Sequence, residues 1–302
     1  MSKTIDNLAA LIGDTPLLKL TKVIPSEIAD VYLKLEGRNI SGSTKSRTVL
    51  NSIEVAEEAG AIQVGDTIVE ATDGNAGIAI AMLAAKKGYH SLLVMPAGAD
   101  VSYTQLLRTY GAAIVETEQT AGISGAIKEA ERLSKQKGYY YLNQFNHVGN
   151  LAVHEATTGP EIMDALDGIA PDAFVATVGT GATLTGVGRY LRKEDPNVEI
   201  FAVEPAESPV LSGGLAGEHQ IPGISPGFIP PLLDVHLYNG VVKVTSNEAI
   251  EMTHRLAKEE GLRVSISSGA AVVGAIEIAK RLGRGKKVVT ISVADGHGEN
   301  LV

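Results

Sequence analysis

Apolar positions along the chain fall into two alternating patterns, one of period two and one of about 3.6 residues, separated by short Gly-, Ser- and Asn-bearing turns. Val31-Tyr32-Leu33-Lys34-Leu35 alternates like a half-buried strand. After the turn Asn39-Ile40-Ser41-Gly42-Ser43-Thr44, the positions Val49, Leu50, Ile53 and Val55-Ala56 recur at helical spacing until Gly60 stops the run. The same reading predicts strands over residues 67–70, 91–95, 112–115, 139–142, 173–178, 199–203, 241–244 and 287–293. It predicts an Ala-rich helix that follows the turn of residues 72–77 and runs to Lys87, and helices over 103–110, 122–137, 150–167, 184–192, 247–260 and 269–282. Residues 205–239 are rich in Gly and Pro and have no clear period, and so long a stretch in a compact protein usually covers or forms a site. Continuous apolar strands alternating with helices imply an α/β protein with parallel-rich, twisted sheets flanked by helices. In such sheets ligands bind beyond the carboxyl ends of the strands, so the turns at those ends are where chemistry is sought.

Composition narrows the classes. At 302 residues, 44% hydrophobic and 20% charged, the chain suits two modest α/β domains or one large one, with a sizeable core. A net charge of −9, with no long basic block, argues against a nucleic-acid surface. No cysteine is present, which excludes disulfides, thiolate catalysis and Cys-ligated zinc. The histidines form no HExxH pattern and none pairs with another at i, i+4, so no metal site is predicted; His154 reads as a hydrogen-bonded packing residue. The first residues have no apolar signal core and no run approaches the roughly 18 apolar residues of a membrane span, so a cytoplasmic protein is expected.

Four turns carry candidate chemistry. In the first, Lys45 stands where a strand hands over to a helix, among unpaired backbone N–H groups that favour anions. A lysine made easy to neutralise is a good amine nucleophile towards an aldehyde, although a surface lysine opening a helix would read the same. The second is Thr72-Asp73-Gly74-Asn75-Ala76-Gly77, whose amides could take a carboxylate and whose Asp73 or Asn75 could equally cap the helix. The third, Gly179-Thr180-Gly181-Ala182-Thr183-Leu184-Thr185-Gly186, offers hydroxyls and amides to one phosphate. It is no Walker A loop, because Val187 and Gly188 stand where Lys and Ser/Thr are required. It is similar to a dinucleotide fingerprint with Glu204 as the ribose acid, but Leu184 occupies the third glycine position. The fourth, Ser265-Ile266-Ser267-Ser268-Gly269-Ala270, resembles a nucleophile elbow without its first glycine, and reads as one capping serine beside another free for a ligand.

Taken in order, Ile12-Gly13-Asp14-Thr15-Pro16-Leu17, the Lys45 turn, a TxGNxG loop, Asn143-Gln144-Phe145, HxxTTGPEI from His154, GTGxT and SISSGA resemble the cysteine synthase family over nearly the whole chain. The resemblance implies pyridoxal 5'-phosphate enzymes of the second fold type, similar to the tryptophan synthase β subunit and usually homodimers. It implies a smaller domain over residues 40–148 and a larger phosphate-binding domain from 1–39 and 149–302. On it, Lys45 is the Schiff-base lysine and proton shuttle, and Asn75 partners the cofactor's 3-hydroxyl. Gly179, Thr180, Gly181, Ala182 and Thr183 form the phosphate cup, and Ser267 meets the pyridine nitrogen. Thr72, Asp73, Gly74, Asn75 and Ala76, with Gln144, clamp the substrate α-carboxylate. The implied reaction is β-replacement on O-acetylserine or another O-activated serine, with sulfide or a thiol adding to an α-aminoacrylate to form cysteine. A complex with serine acetyltransferase is a further implication.

Departures from the family pattern bear on the substrate. The usual TSGNTG is here TDGNAG, which removes two hydroxyls and adds a charge that repels a carboxylate. Asp73 also resembles the TDGN loop of diaminopropionate ammonia-lyases. Elimination or exchange on cysteine, serine or diaminopropionate is therefore the alternative within the fold. Outside it stand a nicotinamide-dependent dehydrogenase and a non-catalytic cofactor-binding homologue.

Overall fold

A computed structural model describes residues 4–297 and 299. Its chain divides into two units, one from the described residues up to Gly13 with Asn39–Asn150, the other from Asp14–Arg38 with the described residues from Leu151 on. The residues before Asp14, which the sequence groups with the larger domain, fall in the smaller unit, because Leu8 and Ile12 pack on its core of Ile53, Ile80 and Leu83.

Among the described residues ten strands form two sheets: β1 (Leu17–Lys19), β2 (Asp30–Leu35), β3 (Thr67–Ala71), β4 (His90–Pro96), β5 (Ala113–Thr117), β6 (Tyr139–Tyr141), β7 (Ala173–Thr177), β8 (Glu199–Pro205), β9 (Gly240–Val244) and β10 (Lys287–Ser292). The smaller unit has the order β5-β4-β3-β6, all parallel. Its helix Lys45–Glu58 buries Val49, Ile53 and Ala56, one stripe at helical spacing. Helix Asn75–Lys87 is apolar all round and buried from Ala76 to Ala84, so it lies inside the unit.

The larger unit has the order β1-β2-β10-β7-β8-β9. Its pairings are parallel apart from β1, which joins β2 antiparallel through Leu18 opposite Leu33. Three residues are too short for a period, so this edge strand is invisible to the sequence pattern. Helix Ile266–Leu282 is the apolar helix of this unit, with Ala270, Ala271, Val272 and Ala275 fully buried. Fully buried Lys34 on β2 is paired with Glu161 at 2.7 Å. The helix expected over 150–167 is interrupted: His154–Thr158 is a π-helical stretch between Gly149–Val153 and Gly159–Ala165. Residues 206–239 contain neither helix nor strand, in keeping with their missing period.

Candidate active site

In the smaller unit the chain turns at the carboxyl end of β6, where Asn143 adopts a left-handed φ of 55°. The next residue, Gln144, is buried, and its Oε1 accepts a hydrogen bond from Lys45 Nζ at 3.1 Å. Lys45 opens its helix behind Thr44, which makes no side-chain cap. Burial lowers the pKa of the amine, and the charges of Asp73 and Glu70 oppose that shift. Thr44 contributes a buried hydroxyl that has no hydrogen-bond partner among the described residues.

The second turn follows β3. Thr72 Oγ1 accepts from Gly74 N and Gly77 N, both at 3.2 Å, so the loop is tied internally before the helix starts at Asn75. Neither Asp73 nor Asn75 supplies the expected cap: Gly74 occupies that position and makes no side-chain bond. Asp73 is exposed. Tyr103, buried against this loop, donates its hydroxyl to the carbonyl of Gly74. Sequence reasoning missed Tyr103, since its helix, Val101–Thr109, carries no motif that points to the loop.

In the larger unit the third turn runs from β7 into helix Ala182–Glu194. Gly181 takes φ +85°, and a Cβ on it would stand 2.7 Å from Leu233 N, so the position admits only glycine. This helix start has no side-chain cap, which leaves its first N–H groups beside the hydroxyls of Thr180 and Thr183. Gly186, the last glycine of the motif, serves packing: a Cβ there would meet Leu151 O at 2.5 Å and His154 Cβ at 2.7 Å. That close approach sets His154, buried and bonded through Nδ1 to Thr158 Oγ1 at 2.9 Å, with its Nε2 3.3 Å from Thr183 Oγ1.

β10 lies beside β7, so the fourth turn shares this carboxyl edge with the third. Ser265 caps helix Ile266–Leu282, accepting from Ser268 N at 3.3 Å. Ser268 Oγ in turn accepts from Val293 N at 2.9 Å, just past the end of β10. Ser267 is buried, its hydroxyl 3.0 Å from that of Ser265.

Glu204 is no ribose ligand. Its buried carboxylate accepts from Leu211 N at 2.6 Å and from Ser212 N at 3.2 Å and Oγ at 2.5 Å, which closes the loop after β8. With Leu184 buried in the core, nothing remains of the dinucleotide fingerprint.

Taken unit by unit, the smaller one offers a half-buried amine of lowered basicity and an orphan hydroxyl, which fit an aldehyde, and the larger one offers a helix start with two threonines, which fits a phosphate. A model of the family described as pyridoxal-phosphate dependent enzyme matches residues 8–293. A cysteine synthase of Staphylococcus aureus (strain Mu50 / ATCC 700699) is 48% identical over 294 residues, 97% of this chain and 95% of that protein. Among solved structures, a hydrogen sulfide-producing enzyme from Fusobacterium nucleatum superposes with a TM-score of 0.94 at 37% identity, covering 98% of this chain and all of that one. An O-acetylserine dependent cystathionine beta-synthase from Helicobacter pylori does so with 0.94 at 35% identity, covering 99% and 98%.

Proposed function

The chain belongs to the pyridoxal-phosphate dependent enzymes of the cysteine synthase family, and from that premise we propose that it forms L-cysteine from O-acetylserine and sulfide, with Lys45 as the cofactor lysine. The observation that carries the assignment is the half-buried Lys45 amine, seated on Gln144 Oε1 at 3.1 Å. Pyridoxal phosphate, when bound, supplies an aldehyde that links to an amine and a conjugated ring that takes up electron density from the substrate's α-carbon.

The chain's own residues do the rest. Lys45 Nζ would hold the cofactor's aldehyde and, when free, would take the proton from the substrate's α-carbon. Burial favours its neutral form, which a base requires. Backbone N–H groups of the Thr72-to-Ala76 loop and the side chain of Gln144 bind the α-carboxylate. One Nε2 hydrogen of Gln144 is spent on the Ala71 carbonyl at 2.8 Å, which leaves the other to donate. Asn75 would bond the ring hydroxyl, Gly179 to Thr183 would hold the phosphate, and Ser267 would meet the ring nitrogen. A neutral hydroxyl there does not keep that nitrogen protonated, which moderates electron withdrawal and suits chemistry at the β-carbon.

One observation favours a second reading. Asp73 puts an exposed carboxylate in the loop assigned to a carboxylate, which suits a substrate with a second amino group and elimination in place of replacement. On the family resemblance we also propose a cytoplasmic homodimer that binds the C-terminus of a serine acetyltransferase; no described helix is long and apolar enough to cross a membrane.

Visible spectra of the wild type and Lys45→Ala, with amino acids titrated in, test the assignment. The wild type should show the band of a covalently held cofactor, and Lys45→Ala should lose it with roughly 10³-fold of the activity. An unchanged band in Lys45→Ala would refute it. Cysteine formation from O-acetylserine and sulfide, measured against sulfide release from cysteine and ammonia release from diaminopropionate, separates the two readings.

A further inference from the structure

Gln144 is bonded through both of its backbone groups and at both ends of its side-chain amide. Its backbone N–H donates to Glu70 Oε2 at 3.1 Å, and its carbonyl accepts from Asn150 Nδ2 at 3.0 Å. Its side-chain Nε2 donates to the Ala71 carbonyl at 2.8 Å, and Oε1 accepts from Lys45 Nζ at 3.1 Å. Because a carbonyl can only accept, the Ala71 oxygen decides which way the amide faces and thereby turns Oε1 to the lysine. Asn150 Oδ1 accepts in turn from Ser52 Oγ at 2.9 Å. Ser52 lies on helix Lys45–Glu58, two turns beyond Lys45 on the same face. The bonds therefore run from the lysine through Gln144 and Asn150 and back to the lysine's own helix, a closed circuit within one unit.

Glu70 is fully buried, and its other oxygen accepts from Ala71 N at 2.9 Å. The carboxyl offers a separate oxygen to each of these two backbone N–H groups, where a Gln side chain offers one oxygen and a donor. The charged or titratable groups that face Lys45 are Asp73 and Glu70, and those that face Glu70 are Lys45 and Tyr141.

We propose that Asn150 and Glu70 are positioning residues for Lys45, acting through Gln144: they hold its main chain, and with it the side-chain amide that Ala71 orients, so that Oε1 receives the amine whenever the amine is not bonded to the cofactor. The proposal rests on the reading of Lys45 as the cofactor lysine. It separates the circuit from a purely structural role, because the amine has to leave the cofactor and return to it in every turnover.

The test uses holoenzymes of the wild type, Asn150→Ala, Glu70→Gln and Ser52→Ala. Three quantities are read: visible band per protein, kcat and KM for O-acetylserine, and the stopped-flow rate at which the resting band returns after a limiting dose of donor. Asn150→Ala and Glu70→Gln should keep the band and a KM within about twofold, while kcat and the return rate fall about 10-fold or more. Ser52→Ala keeps the Asn150–Gln144 bond and should show a smaller fall in the same two rates. Rates that decline only in step with cofactor content, or a KM that rises alone, would overturn the proposal. Should Asn150→Ala not fold, Ser52→Ala decides: a return rate equal to wild type refutes the circuit, and a slower one supports it. A colourless wild type removes the Lys45 assignment itself, and this proposal with it.

Discussion

Asp73 sits at the exposed start of the helix that begins at Asn75, where the helix dipole welcomes a carboxylate. Its charge also acts on Lys45, raising the basicity that burial lowers. Toward an incoming α-carboxylate the same charge is repulsive, by about 1 kcal/mol near solvent. Asp73→Ser should therefore lower KM for O-acetylserine by about fivefold and move the alkaline-side rise of kcat to lower pH. Steady-state kinetics across pH would show it, and an unchanged KM would mean that the carboxylate points away from the substrate. Asn143 is legible in a different way. An Asn before Gln144 looks incidental in the sequence, yet its left-handed φ is what turns the chain so that the glutamine meets Lys45.

At the scale of elements, the strand-to-helix turns do the positioning, and two of the helices concerned start without a side-chain cap. Thr72 Oγ1 already meets Gly77 N in the first of these, and on the proposed reading an anion meets the N–H groups that remain at both turns. Gly181 holds one of them in its left-handed conformation. Gly181→Ala should cost most of the bound cofactor by displacing the loop from Leu233, and the ratio of visible to protein absorbance measures it. Full cofactor content in that variant would show that the loop holds no phosphate. Helix existence was readable here, since Val49, Ile53 and Ala56 recur as one stripe. The break of the helix expected over 150–167 was not. The π-helical stretch at His154 carries no breaker residue and is seen only where the bare face of Gly186 packs on it.

For the molecule as a whole, buried carboxyls set the response to pH. Burial pushes Glu70 up to about 8 and Glu299 up to about 7 from an ordinary 4.5. The folded chain thus holds protons that the unfolded chain has released, and stability falls as pH rises from about 4.5 through 7 to 8. Lys45, lowered by burial, works in the opposite sense as pH rises towards its ordinary 10.5. The Glu70 contribution is therefore read as a difference: unfolding temperature should decline from pH 5 to 8 more steeply in the wild type than in Glu70→Gln. Equal slopes would mean that Glu70 is ionised throughout. Both units draw on distant parts of the chain, as where β2 pairs with β10 from Asp30↔Lys287 to Leu35↔Ser292. Such pairings leave no local trace in the sequence, so residue spacing does not reveal them.

By itself the sequence determined the α/β class, the order of the longer strands and helices and the places of the four turns between them. Those depend on periodicity and on turn residues a few positions apart, which are local properties of the chain. Tertiary structure decided what meets what. The amide face that Gln144 turns to Lys45, the Tyr103 hydroxyl on the Gly74 carbonyl and the capture of Glu204 by its own loop are contacts between segments far apart in the chain or details of side-chain direction. Hydrogen bonds of that kind are fixed only once burial has removed water as the competing partner, and no residue spacing records them.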